Sequence, residues 1–328
     1  MSAAELQIAV RVECSVEDVR KALWSDRSLV KTWLMRGTLH LARAEDLPYY
    51  TAAMGRRWIR VSNSWLKFWN ITEPELWQLV DSIGAALDGK PMSREELIAK
   101  VGKGKTKEMH EALRSGWGGM LKPAARNGRL CFGPNRGQSV TFVSPREWLH
   151  SWKEVDAEAG IGEMARRYLR AYGPATRHDF ARWWGAWPGT GGAAWSALAG
   201  ELTPVSIDGV RADVLTEDLE NLRKSRLERT VNLLPNFDPY LMGYANRDHL
   251  FDSVHRPKVS RTAGWISSVV LVDGRVDGTW TYAVNKGALR IKIEPFANLG
   301  AKVMSEVRAR AKEIARALDA ARAEVELA

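Results

Sequence analysis

The chain has 328 residues, 45% of them hydrophobic and 27% charged, which suits two to four folded domains and leaves no case for general disorder. Its net charge of +9 and pI near 9.6 favour an acidic partner, nucleic acid before an anionic membrane. Two cysteines, Cys14 and Cys131, are too few for a disulfide framework and fit a reducing cytoplasm; no apolar run is long enough to cross a bilayer, and no signal pattern opens the chain.

In chain order, Leu6, Ile8, Ala9 and Val12 predict a helix over 3–13 with no start signal before it, as though the chain begins inside an element. Ser15-Val-Glu-Asp18 is a proper start: Ser15 caps, acidic residues fill the first turn, and Val19, Leu23 and Trp24 form the buried stripe. Residues 31–41 follow as a β-ribbon. The side chains of 32–34 suit a strand, 38–41 alternates polar with apolar, and Gly37 lets the backbone bend or another group approach. Arg36, Thr38 and His40 are then expected on or near one exposed face; the alternative is a wing packed on its own helices, with His40 an ordinary surface histidine. Asp46-Leu-Pro48 opens a helix through Met54, and Arg56, Arg57 and Arg60 come next, interleaved with Trp58 and Ile59.

The same order of helices and a hairpin returns twice. Residues 73–87 form a helix, Ser93-Arg-Glu-Glu96 is a capping box, 105–125 is a helical stretch loosened at Gly116, Gly118 and Gly119, and 130–132 and 140–143 are strands around the 133–137 turn. Residues 90–130 hold ten Lys/Arg against four Glu, a bias that a recognition helix lying on phosphates needs and that a solvated helix face also shows. Within it, Lys103, Lys105 and Lys107 cluster ahead of a helix. The third pass has helices over 161–172 and 177–184 (capped by Thr176), a short helix over 195–198, and a hairpin of 202–207 with 210–214 around Asp208-Gly209. From 231 the pattern turns to strands, over 231–234, 264–272, 275–283 and 288–295, and a helix from 301 to about 326 closes the chain. The expected class is α+β, mainly α: three tandem winged-helix units (1–70, 71–150, 151–228), then a small antiparallel β-sheet or barrel with a C-terminal helix (229–328).

Little points to metal or nucleotide chemistry. The six His and two Cys are scattered without ligand spacing; Gly104-Lys105-Thr106 ends like a phosphate loop, but Ala99 stands where its first Gly belongs and no Gly-x-Ser-x-Gly elbow occurs. The remaining candidate is Leu234-Pro-Asn-Phe-Asp-Pro-Tyr240 with Arg247 beyond it. Pro235 and Pro239 stiffen a loop that holds Asn236 and Asp238, either as part of a site or as an Asx-turn bonding its own amides.

Residues 31–41 with Arg36-Gly-Thr-Leu-His40, the block 234–240, Val272-Asp-Gly-Arg-Val-Asp-Gly-Thr-Trp280 and Glu294-Pro-Phe296 together resemble the winged-helix crosslink-repair DNA glycosylases of the AlkZ and YcaQ type. The resemblance runs over essentially the whole chain. It implies a basic cradle for double-stranded DNA, excision of alkylated bases and unhooking of interstrand crosslinks, a hairpin of the β-domain (within 259–295) that probes the duplex, and no metal or organic cofactor. Together with the charge bias of 90–130, this leaves Arg36, Thr38, His40, Arg56, Arg57, Lys103, Lys105, Lys107, Asn236, Asp238 and Arg247 as the expected DNA-facing residues of a cytoplasmic, nucleoid-associated monomer. The family's catalytic pair, Gln-x-Gln or Gln-x-Asp, lies before the segment that resembles 2–6, and Gln7 is followed two positions on by Ala9. The expectation is therefore duplex binding with little or no excision, in either a chain whose start lies upstream (favoured by the uncapped first helix) or a binding-only relative. The alternative class is a winged-helix transcription regulator with a ligand-sensing β-domain.

Overall fold

The computed structural model describes residues 3–56, 58, 61–185, 188–226 and 228–328; the expectations on Arg57, Ile59 and Arg60 fall outside them. Helices α1 (Ala3–Ala9) and α2 (Val16–Trp24) precede a ribbon of β1 (Leu29–Trp33) and β2 (Leu39–Arg43). Helices α3 (Leu47–Met54), α4 (Asn63–Phe68) and α5 (Glu73–Ala86) lead through β3 (Met92–Ser93) to α6 (Arg94–Val101), α7 (Lys107–Arg114) and α8 (Leu121–Arg126). A hairpin, β4 (Cys131–Arg136) and β5 (Ser139–Val143), is followed by α9 (Pro145–Trp148), α10 (Ala157–Tyr172), α11 (Arg177–Trp184) and α12 (Pro188–Ala197). After hairpin β6 (Leu202–Ile207) and β7 (Val210–Leu215) come α13 (Leu219–Lys224), β8 (Val231–Leu234), α14 (Arg256–Val259) and β9 (Val269–Val272). The chain finishes with β10 (Arg275–Asn285), β11 (Ala288–Pro295), α15 (Gly300–Ala317) and β12 (Arg322–Leu327). This is a mixed α+β architecture with small sheets. It divides into two compact units, Lys21–Thr216 and a second made of Met1–Arg20 with Glu217–Ala328.

In the unit Lys21–Thr216, sequence-coded caps set the helix starts. Thr72 with Glu75, Ser93 with Glu96 and Thr176 with Asp179 form reciprocal capping boxes, each satisfying orphan amides of a first turn. One core gathers the ribbon's Trp33 with Leu76, Trp77 and Ile83 of α5, Leu113 of α7, Leu121 of α8 and Phe142 of β5. The stretch expected as one helix over 105–125 is two. Gly118, at φ +78 and packed on Trp33, turns the chain between α7 and α8, a conformation a side chain resists. Three elements of this unit were not foreseen: α4, capped by Ser62, the short α9, and β3, which makes the β4–β5 hairpin three-stranded in the order β3-β5-β4. The short helix expected at 195–198 runs instead over α12, from Pro188.

The other unit is built on a five-stranded sheet in the order β12-β11-β10-β9-β8. Four expectations are corrected here. The sheet is not wholly antiparallel, because β12 pairs parallel with β11, from Ala288 opposite Arg322 to Ile293 opposite Leu327. Nor does the closing helix reach 326: α15 stops at Ala317, Asp319 takes a left-handed φ of +53, and Arg-Ala-Glu-Val-Glu-Leu then alternates at a strand's period of two, turning Ala323 and Val325 onto the core. The strand expected over 264–272 shrinks to β9, since 262–264 form a tight turn ending at Gly264 with φ +77. Trp280 on β10 is 2% exposed and donates its indole N–H to the carbonyls of Leu234 and Val269 at 3.0 and 3.1 Å, which ties three strands. Helix α1, expected in a unit of residues 1–70 and to run to residue 13, ends at Ala9 and seats Leu6 in this core beside Val303, Val307 and Ile314.

Candidate nucleic-acid interface

In the unit Lys21–Thr216 the turn of the β1–β2 ribbon is braced from two sides. Leu29 pairs with Arg43 and Trp33 with Leu39, so residues 34–38 must reverse the chain within a few residues. Arg36 does so at φ +56, a left-handed conformation that costs a non-glycine residue roughly 1–2 kcal/mol. It is held there by α11. Its Nη1 donates to the carbonyl of Trp183 at the helix's electronegative end, and Gly185, the left-handed cap at φ +73, lies against it. A methyl on Gly185 would stand 2.6 Å from Arg36 Cγ and 2.7 Å from its Cα. On the other side stands α8, whose Lys122 and Arg126 end at Gly37.

Arg36, Thr38 and His40 are brought together, but not on one open face. Thr38 is exposed, its hydroxyl donating to the Met35 carbonyl at 3.2 Å, whereas Arg36 and His40 are half-buried. His40 Nδ1 lies 2.9 Å from the Thr38 carbonyl, which can only accept, so Nδ1 carries the proton and the neutral ring presents Nε2 as an acceptor. Burial pushes the His40 pKa down to about 4; the Thr38 carbonyl opposes this, and the Arg36 and Arg126 cations add to it.

The other basic candidates of this unit are spread out. Arg56 is exposed, its backbone N–H bonded to Asn127 and its guanidinium 5.1 Å from the centre of the Trp77 ring. Lys103 and Lys105 lie in the turn between α6 and α7, and Lys107 opens α7, where it meets Glu111 at 4.0 Å. Sequence reasoning did not single out Lys122 and Arg126. Their i, i+4 spacing on α8 was the available signal, but only the fold shows that the ribbon turn lies beside them.

In the unit of Met1–Arg20 with Glu217–Ala328, Asp238 is 0% exposed and faces the protein. Its two oxygens accept from Arg11 Nη1 and Nη2 at 2.8 and 2.7 Å, and Oδ1 also accepts from the Tyr240 amide at 3.0 Å. This is the Asx-turn, reinforced by a fork-to-fork ion pair. Gln7, one turn before Arg11 on the same face, donates Nε2 to the Asn236 carbonyl at 2.8 Å. Gln7 and Arg11 therefore anchor the loop, and neither was predicted to do so. Asn236 also borders a cleft of about 570 Å³ lined by Trp265, Lys258, Arg261 and Tyr282. Trp265 is 45% exposed and meets Phe237 edge-on at 4.8 Å. Arg247 is half-buried, with Nη1 3.4 Å from the Ser260 hydroxyl. Among the described residues no group of three or more His, Cys, Asp or Glu side chains is placed to hold a metal ion, and no helix is long and apolar enough to cross a membrane.

A sequence model of the family described as DNA glycosylase AlkZ-like matches residues 1–321. The chain is 35% identical, over 340 aligned positions, to a Streptomyces sahachiroi protein described as an interstrand DNA cross-link repair glycosylase, covering 99% of this chain and 89% of that one. The solved structure of the Streptomyces sahachiroi DNA glycosylase AlkZ superposes with a TM-score of 0.87 at 34% identity, again over 99% of this chain and 89% of the other.

Proposed function

This chain belongs to the AlkZ-like DNA glycosylase family, and from that premise we propose that it binds duplex DNA carrying alkylated bases or interstrand crosslinks and serves their repair. The observation that carries this is the 35% identity, across 99% of the chain, to a protein described as a crosslink-repair glycosylase. Three winged-helix units would supply an extended binding surface. Support comes from the recurring order of helices and a hairpin: α2 with β1–β2, then α5 to α8 with β4–β5, then α10 to α12 with β6–β7. Arg36, Thr38, His40, Arg56, Lys103, Lys105 and Lys107 are the DNA-facing groups of one unit, and Asn236 and Arg247 of the other. Asp238 contributes by anchoring the loop that presents Asn236.

Cleavage of a glycosidic bond needs a group that orients the attacking water or stabilises an oxocarbenium-like sugar. Gln7, Gln78 and Gln138 each lack a glutamine or aspartate two residues on, and Gln7 is already committed to the Asn236 carbonyl. Duplex binding is the part of this activity that the basic charge of the chain supports, and excision is decided by assay. Titrations of the full chain with intact, alkylated and crosslinked duplexes of one sequence, at several salt concentrations, should show affinity falling steeply with salt and tighter binding to the modified duplexes. Alkali treatment after incubation reports any abasic site. Salt-independent or absent duplex binding would overturn the proposal, and an operator-specific footprint would favour a transcription regulator.

A further inference from the structure

Beside the Gly37 turn, Lys122 and Arg126 have no ion-pair partner among the described residues. Lys122 and Arg126 lie one turn apart on the same face of α8, a like-charge spacing that by itself destabilises a helix. Both side chains end at Gly37. A methyl group on that residue would stand 3.3 Å from Arg126 Nη2 and 3.8 Å from Lys122 Nζ, so the two cation heads lie directly against a buried Gly37, next to the exposed Thr38. Among the described residues no carboxylate is within ion-pairing distance of either. Among the described residues Arg126 makes one hydrogen bond, a long one of 3.5 Å from Nη2 to the Leu34 carbonyl, and its buried Nε has no partner there. Burial pushes the pKa of both cations down, and for Lys122 the Arg126 charge adds to it. Arg36, held at the same turn by α11, brings a third positive charge close enough to act on His40.

A purely structural role accounts for only part of this. Arg126 ends α8, where the helix dipole favours a cation, and it supports a ribbon carbonyl. Lys122, in the first turn, gains nothing from that dipole. Partly desolvated cations without a counter-ion are costly unless an anion arrives from outside. We infer that Lys122, Arg126 and the turn Met35–Thr38 form a binding site for a phosphate-ester anion, which, on the function proposed above, is a backbone phosphate of the bound duplex next to Thr38 and His40. The two cations grip the phosphate oxygens from α8, and the lack of a side chain at Gly37 lets both heads sit against the turn beside the exposed Thr38. The contact carries no base sequence and fixes where the strand lies relative to the ribbon.

The test uses the full chain, a short duplex and inorganic phosphate as separate probes. Lys122→Gln with Arg126→Gln should lower the magnitude of the log–log salt slope of duplex binding by about one to two and weaken binding alike for different sequences. Inorganic phosphate should shift the His40 imidazole resonance in the unaltered protein and not in the double variant. Arg126→Lys, which keeps the charge, should retain most of the slope. If the double variant does not fold, Lys122→Gln alone carries the test, because that ammonium holds no hydrogen-bond or ion-pair partner among the described residues. An unchanged slope in a folded variant, with His40 indifferent to phosphate, overturns the site while leaving duplex binding in place. Absence of duplex binding by the unaltered chain removes the proposed function instead. In that case a phosphate response of His40 that the double variant lacks still supports the site, now for free phosphate.

Discussion

His40 pairs with Thr32 across the ribbon and folds its ring back onto the Thr38 carbonyl, where burial keeps it neutral. Its folded pKa of about 4 lies below the roughly 6.5 of an unfolded histidine. The folded protein therefore binds fewer protons than the unfolded chain between those values. The stability linked to this group is fully present above about pH 6.5 and is lost as pH falls through 4. Replacing it, His40→Gln, should leave a protein whose stability declines less between pH 7 and 4, measured by denaturant titration at each pH; identical profiles would mean that the ring is not held neutral. Asp238 shows the limit of spacing at the same scale. Two prolines around an aspartate announce a rigid carboxylate, but a local sequence cannot say whether it points out or in. Its partner Arg11 lies 227 positions away, and that contact decides the matter.

At the scale of elements, local chemistry was readable wherever the signal was local. The capping boxes at Ser93 and Thr176 and the hairpin of β6 and β7 around Asp208-Gly209 stand where their turn chemistry puts them. The closing strand β12 was hidden because Arg-Ala-Glu-Val-Glu-Leu follows a long helical pattern with no proline to end it, and because a parallel partner, β11, comes from the other side of α15. The ribbon was visible, but its bracing was not. Gly185→Ala combines a strained φ of +73 with a methyl 2.6 Å from Arg36 Cγ, so it should cost about 2 kcal/mol or more and loosen the Met35–Thr38 turn. Thermal melting reads the first effect. Faster amide exchange at Gly37 and Thr38, whose N–H groups bond the carbonyls of Leu34 and Met35, reads the second. A wild-type melt would show that α11 does not fix the ribbon.

For the whole molecule, a charge of +9 is a statement about partners and not about fold. It becomes specific only where cations lack counter-ions. Many arginines are already engaged, as with Arg166 against Glu163 and Glu201, and Arg275 against Asp252. Lys103 and Lys105 have no ion pair among the described residues, and Lys107 has only a loose one at 4.0 Å. Reversing all three to Glu should reduce duplex affinity by an order of magnitude or more at low salt and flatten its salt dependence, with the melting temperature within a few degrees of the parent. Unchanged affinity would take this patch out of the interface.

Caps and turn dipeptides announced a mixed α+β chain, and the spaced blocks around Arg36–His40 and Leu234–Tyr240 carried the resemblance to the family it belongs to, because each is carried by neighbours within a few residues. Tertiary structure alone decided that Asp238 is an anchor, that Arg36 is held by a helix about 150 positions further on, and that Lys122 and Arg126 converge on Gly37. Those facts depend on which distant side chain supplies the missing charge or hydrogen bond. Burial makes that choice energetically large, and no local periodicity encodes it.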